Sequence, residues 1–160
     1  MNKRILIGLM CLIIIVACAP DTLQSTFEKA QQSNGMDGIN IIHIEENEAN
    51  GLVLATTWTE QYIENKDRPG INVYLQENGQ WMAIPGTDCD GPMFTLGMQG
   101  NGYLYCGVIT EDRPYVKIMV GETEAQIFDV NDKKRVWYVV QKSRGLIVQG
   151  SFASGEQVQF

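Results

Sequence analysis

The chain has 160 residues, 19 of them acidic, 12 basic and one histidine, for a formal net charge of −7. With 44% hydrophobic and 19% charged residues, it falls outside the disordered class and has enough chain for one domain with a buried core. The acidic balance argues against nucleic acid as a partner, and a lone imidazole excludes the commoner histidine-based metal and catalytic constellations.

The amino terminus carries Lys3 and Arg4, then a run from Ile5 to Val16 in which every residue is apolar or glycine. A spanning helix needs roughly 20 apolar residues, whereas the hydrophobic region of a secretory signal peptide needs about 7–15. The run closes on Ile15-Val16-Ala17-Cys18, followed by Ala19-Pro20. These residues resemble the lipobox of bacterial lipoproteins: an aliphatic residue, a small or aliphatic one, a small one, then cysteine. The resemblance implies cleavage between Ala17 and Cys18 and a diacylglyceryl group on the Cys18 sulfur. It implies a protein held at the cell membrane, facing the extracytoplasmic side. Two acyl chains anchor stably where one gives only marginal binding. In general appearance the remainder of the chain is similar to small lipoproteins of low-GC Gram-positive bacteria. Loss of residues 1–17 removes Lys3 and Arg4, which leaves ten basic against 19 acidic residues and a net charge of −9.

Residues 18–38 read as a lipidated tether with one short helix. Asp21 or Thr22 can cap its start, and Leu23, Phe27 and Ala30 recur at helical spacing as one apolar stripe. Ser33-Asn34-Gly35 ends it. The helix either docks on the domain or spaces it from the membrane.

Residues 39–160 read as a mainly β domain, an antiparallel sandwich or barrel-like meander. The predicted strands are 39–45, 51–59, 71–77, 80–84, 93–96, 103–110, 115–120, 125–130, 135–141, 146–152 and 157–160. Asn78-Gly79 is the strongest hairpin signal, because a type I′ turn needs positive φ at both positions. Val116, Ile118 and Val120 are expected on one face, with Tyr115, Lys117 and Met119 opposite. Val136-Trp137-Tyr138-Val139-Val140 is apolar on both faces, which predicts a central strand. Asp-Arg-Pro occurs at 67–69 and again at 112–114, as turn chemistry before a strand.

With Cys11 in the hydrophobic run and Cys18 the lipid acceptor, Cys89 and Cys106 remain as an expected extracytoplasmic disulfide. Two free thiols are the alternative; no Cys-x-x-Cys spacing points to redox catalysis. Asp88 and Asp90 before Gly91 have the spacing that opens a Ca²⁺ loop, but the later ligands of such a loop are missing, so they read as acidic turn residues. Glu45, Glu46 and Glu48 read as a solvated edge and turn. His43, in an apolar strand, reads as a hydrogen-bonded or surface residue, since no nucleophile motif accompanies it. Neither a metal site nor a cofactor is expected. Tyr103 and Tyr105, on one face of one strand, are the first candidates for a ligand surface.

The expected function is a non-enzymatic binding or envelope-associated role at the membrane, with a protein or small molecule as partner. One alternative is an anchored inhibitor of a hydrolase such as lysozyme, toward which the acidic charge would steer. The other is a hydrolase that works through a pair of carboxylates.

Overall fold

The computed structural model describes residues 21–47 and 49–160; the hydrophobic run, Cys18 and Glu48 lie outside them. Thr22 opens the first element. Its Oγ1 accepts from the Ser25 N–H at 3.1 Å and caps helix α1, Leu23–Ser33. The helix ends in a Schellman pattern: the Met36 N–H donates to the Gln31 carbonyl at 3.1 Å, and the Gly35 N–H to that of Gln32 at 3.0 Å. Leu23 and Phe27 are fully buried, so α1 is docked on the domain rather than spaced from it.

Three four-stranded antiparallel sheets follow. The first is a meander of β1 (Gly38–Glu46), β2 (Asn50–Trp58), β3 (Pro69–Glu77) and β4 (Gln80–Asp88). Asn78 and Gly79, at φ 51° and 76°, form the predicted two-residue turn between β3 and β4. The second sheet contains β5 (Phe94–Gly97), β6 (Tyr103–Thr110), β9 (Gln126–Asn131) and β10 (Lys134–Gln141), in the order β5-β6-β10-β9. The third contains β7 (Lys117–Val120), β8 (Thr123–Glu124), β11 (Val148–Ser151) and β12 (Gln157–Gln159), in the order β12-β11-β7-β8. Among the described residues no sheet closes into a barrel.

The strand alternation stacks these elements in layers. Val53, Ala55 and Tyr74 of the first sheet pack against Leu23 and Phe27 of α1. Leu52, Leu54, Ile71 and Val73 face the other way, onto Leu104, Cys106, Val136 and Tyr138 of the second sheet. Tyr105, Ile109, Trp137 and Val139 leave the opposite face of that second sheet and meet Ile118, Val120 and Val148 of the third. The second sheet is therefore the middle layer, and β10 is buried on both faces from Val136 to Val139 as its composition predicts, while Val140 is exposed. The disulfide Cys89–Cys106, with Cα atoms 5.7 Å apart, ties the residue after β4 to β6 and so joins the first sheet to the middle one.

Several expectations are corrected. β4 runs past Ile84 to Asp88, because Pro85 lies on an edge strand at a bulge, where its missing N–H costs no ladder bond. β7 begins at Lys117 instead of Tyr115. The chain bends before it, so Tyr115 joins Ile118 and Val120 in the core while Val116 is 53% exposed. The predicted strand 146–152 shortens to Val148–Ser151. A 3-10 segment, Glu60–Asp67, and the two-residue β8 carry no apolar periodicity and are not among the predicted elements.

Candidate functional site

The outer face of the first sheet is apolar under α1 and becomes polar where the helix ends. Thr57 of β2, Gly70 and Asn72 of β3, and Thr87-Asp88 of β4 floor a cleft of about 470 Å³ there. Gln31 and Met36, at the helix end, form one wall, and Trp58, Tyr62, Asn65 and Arg68 form the other. The volume lies within the range of small-molecule sites, about 300–1,000 Å³.

The walls are fixed by long-range bonds. Asp37 Oδ2 accepts from the Glu60 N–H at 2.7 Å, and the Asp37 N–H donates to the Trp58 carbonyl at 3.0 Å. Together these dock the start of the 3-10 segment onto the chain leaving α1. Tyr62 breaks that segment at φ −128° and ψ 52° and stands 50% exposed at the rim. Gln31 Nε2 donates to Asn72 Oδ1 at 3.4 Å across the floor. Arg68 Nε lies 3.4 Å from Asp90 Oδ2, so the one cation of the lining is shared with a carboxylate outside it. Gly70 leaves the floor open: a Cβ there would meet only Asp88 Oδ1 at 3.6 Å and the Thr87 carbonyl at 3.7 Å.

The residues singled out from sequence are scattered. Asp88 lines the cleft, whereas Asp90 is held by Arg68 and by Lys134 Nζ at 3.2 Å, so the pair does not converge on an ion. Among the described residues no group of three or more His, Cys, Asp or Glu side chains could hold a metal. Tyr105 is a core residue: its hydroxyl donates to the Ser143 carbonyl at 3.1 Å and accepts from the Leu146 N–H at 3.2 Å. Tyr103 is half-buried and borders a separate shallow hollow with Gln99 and Lys142.

His43 stacks on Phe128 at 4.4 Å between centroids. A bulge at Ile42 turns both Ile42 and His43 toward the middle sheet. Glu45, expected on a solvated edge, accepts from the Tyr138 hydroxyl at 2.7 Å, although its own side chain is exposed. Burial first, then the bond to Glu45 and its negative charge, hold the Tyr138 phenol well above its ordinary pKa of 10.0. The folded state therefore keeps this proton at a pH where the unfolded chain has lost it. The stabilisation is complete below pH 10 and declines as pH rises above it, by about 1.4 kcal/mol per unit. Urea midpoints measured at pH 9 and at about pH 11 should diverge in the wild type and diverge less in Tyr138→Phe. Equal alkaline losses in the two proteins would refute this account.

Sequence reasoning did not find the cleft. Asn72 within the apolar Ile71–Leu75, and Thr57-Trp58-Thr59 closing an apolar strand, are the signals that point to it. No protein-family model matches the chain, and no curated protein or solved structure matches it. Among the described residues no helix is long and apolar enough to cross a membrane.

Proposed function

We propose that the protein is a lipid-anchored extracytoplasmic lipoprotein whose β domain binds a small ligand in the cleft at the end of α1. The observation that carries the anchor is Ile15-Val16-Ala17-Cys18 at the close of a short apolar run that follows Lys3-Arg4. The disulfide supports export, because such bonds persist in oxidising compartments.

The geometry is consistent with a binding role. Leu23, at the start of α1, packs over Gly51 at the start of β2, while the cleft lies at Thr57-Trp58 near the end of that strand. Six strand residues separate the two by about 20 Å. A lipid on Cys18, five residues before Leu23, would hold the first end near the bilayer and turn the cleft away from it. Asp88 is the one carboxylate among the lining residues, which supports binding over hydrolysis by a carboxylate pair.

Cys18→Ser tests the anchor. Expressed in a bacterium that processes lipoproteins, the wild type should take up labelled palmitate and enter the detergent phase on Triton X-114 partitioning. The variant should stay unlabelled, keep its signal segment and enter the aqueous phase. Unchanged labelling and partitioning of Cys18→Ser would overturn the assignment.

A further inference from the structure

We propose that the cleft between α1 and the first sheet binds a neutral carbohydrate; this rests on the proposal that the cleft is a ligand site. A sugar ring presents hydroxyls that both donate and accept hydrogen bonds, together with apolar C–H faces. The lining supplies both complements. Gln31, Asn65 and Asn72 carry side-chain amides, each able to donate through nitrogen and accept through oxygen, and Asp88 adds a carboxylate acceptor. Trp58 and Tyr62 add flat aromatic surfaces with polar tips, and Tyr62 is half exposed at the rim.

The other ligand classes fit less well. A phosphate ester calls for convergent cations, and the lining has only Arg68, already shared with Asp90. An acyl chain calls for a predominantly apolar wall. Here amides, hydroxyls and one carboxylate outnumber Met36, Ala55 and Ile71. The site also has the right depth at one point. Gly70 and Asn72 lie on the outer face of β3, and the missing side chain at Gly70 leaves the floor open.

The test uses the full-length protein in a detergent without sugar headgroups. It is titrated with chitotetraose, cellotetraose and maltotetraose, and in separate arms with inorganic phosphate and palmitate. Tryptophan fluorescence and calorimetry report binding. At least one tetrasaccharide should bind with a Kd between about 10 μM and 1 mM. Pull-down on insoluble chitin or cellulose then separates a polymer ligand from a soluble one.

Gly70→Val fills the floor with a residue that strands favour, and Tyr62→Ala removes an exposed rim ring. Each should weaken saccharide binding by about tenfold or more, with Tm within about 3 °C of the wild type. Val116→Ala, on the exposed surface away from the cleft, should bind as the wild type does. The proposal is overturned if no saccharide binds at about 10 mM, if phosphate or palmitate alone binds, or if binding survives both cleft substitutions. Palmitate labelling of the same preparation keeps the two proposals apart. A labelled protein that binds phosphate or palmitate but no sugar loses only the ligand class, one that binds none of the probes loses the ligand site as well, and an unlabelled Cys18→Ser protein that binds sugar keeps both the site and the ligand class.

Discussion

Trp137→Ala is expected to cost about 3–5 kcal/mol, the usual range for deleting a buried indole. Domains of this size are stable by only about 5–15 kcal/mol in total, so this loss is a large share of the whole and should lower the urea midpoint by about a molar or more. The site explains the size of the effect. Trp137 is fully buried on β10, a central strand of the middle layer, and faces Ile118 and Val148 of the third sheet beside Tyr105 and Tyr115. Its neighbours belong to two sheets whose positions are set by other contacts, so they cannot close over the vacated volume. The indole Nε1 has no hydrogen-bond partner among the described residues. Trp137→Phe therefore forfeits no hydrogen bond and keeps one aromatic ring in place, and should cost less than half as much as alanine. Urea unfolding followed by circular dichroism measures both. A loss below about 1 kcal/mol for alanine, or equal losses for alanine and phenylalanine, would contradict this account of the core.

The same strand shows which parts of the fold are legible in one sequence. A run apolar on both faces has nowhere to go but between two layers, so the central position of β10 follows from Val136–Val140 alone. Asn78-Gly79 is similarly local, because its backbone preference is set by the two residues themselves. The docking of α1 is different. Leu23 and Phe27 mark an apolar stripe, but only the matching stripe of Val53, Ala55 and Tyr74 shows that the helix covers the first sheet.

Where an element depends on distant partners, periodicity is silent. The 3-10 segment Glu60–Asp67 is polar, and its start is pinned by the carboxylate of Asp37, 23 residues earlier. A bulge at Ile42 interrupts the alternation of β1 and sets the side of the sheet on which the His43 imidazole lies. Tyr103 and Tyr105 do share a strand face, as alternation requires, but that face is turned toward the third sheet and Tyr105 is buried there. The cleft draws on the end of α1, the ends of β2 and β4, the start of β3 and the 3-10 segment. Its residues share no motif, because proximity comes from the meander and the docked helix rather than from spacing along the chain.

The disulfide ties this architecture to the proposed location, and its removal is the second large effect expected. Cys89 and Cys106 are fully buried and 17 residues apart, so the bridge closes a loop worth about 3 kcal/mol in the chain-entropy model. It acts mainly on the unfolded chain, by denying it the conformations in which the end of β4 and the middle of β6 separate. The paired variant Cys89→Ala and Cys106→Ala should therefore lose about 3 kcal/mol, with a smaller added cost for two buried sulfurs inside the core shared by the first and middle sheets. With urea slopes of about 1–3 kcal/mol/M, its midpoint should fall by about 1–3 M. Reductant should lower the wild-type midpoint by a similar amount and leave the variant unchanged. An unaltered midpoint in the variant, or a reductant effect that persists without the two cysteines, would remove the bridge from the forces that hold the sheets together. A domain that draws this share of its stability from one bond is suited to an oxidising compartment, and a copy retained in a reducing one should unfold more readily by the same margin.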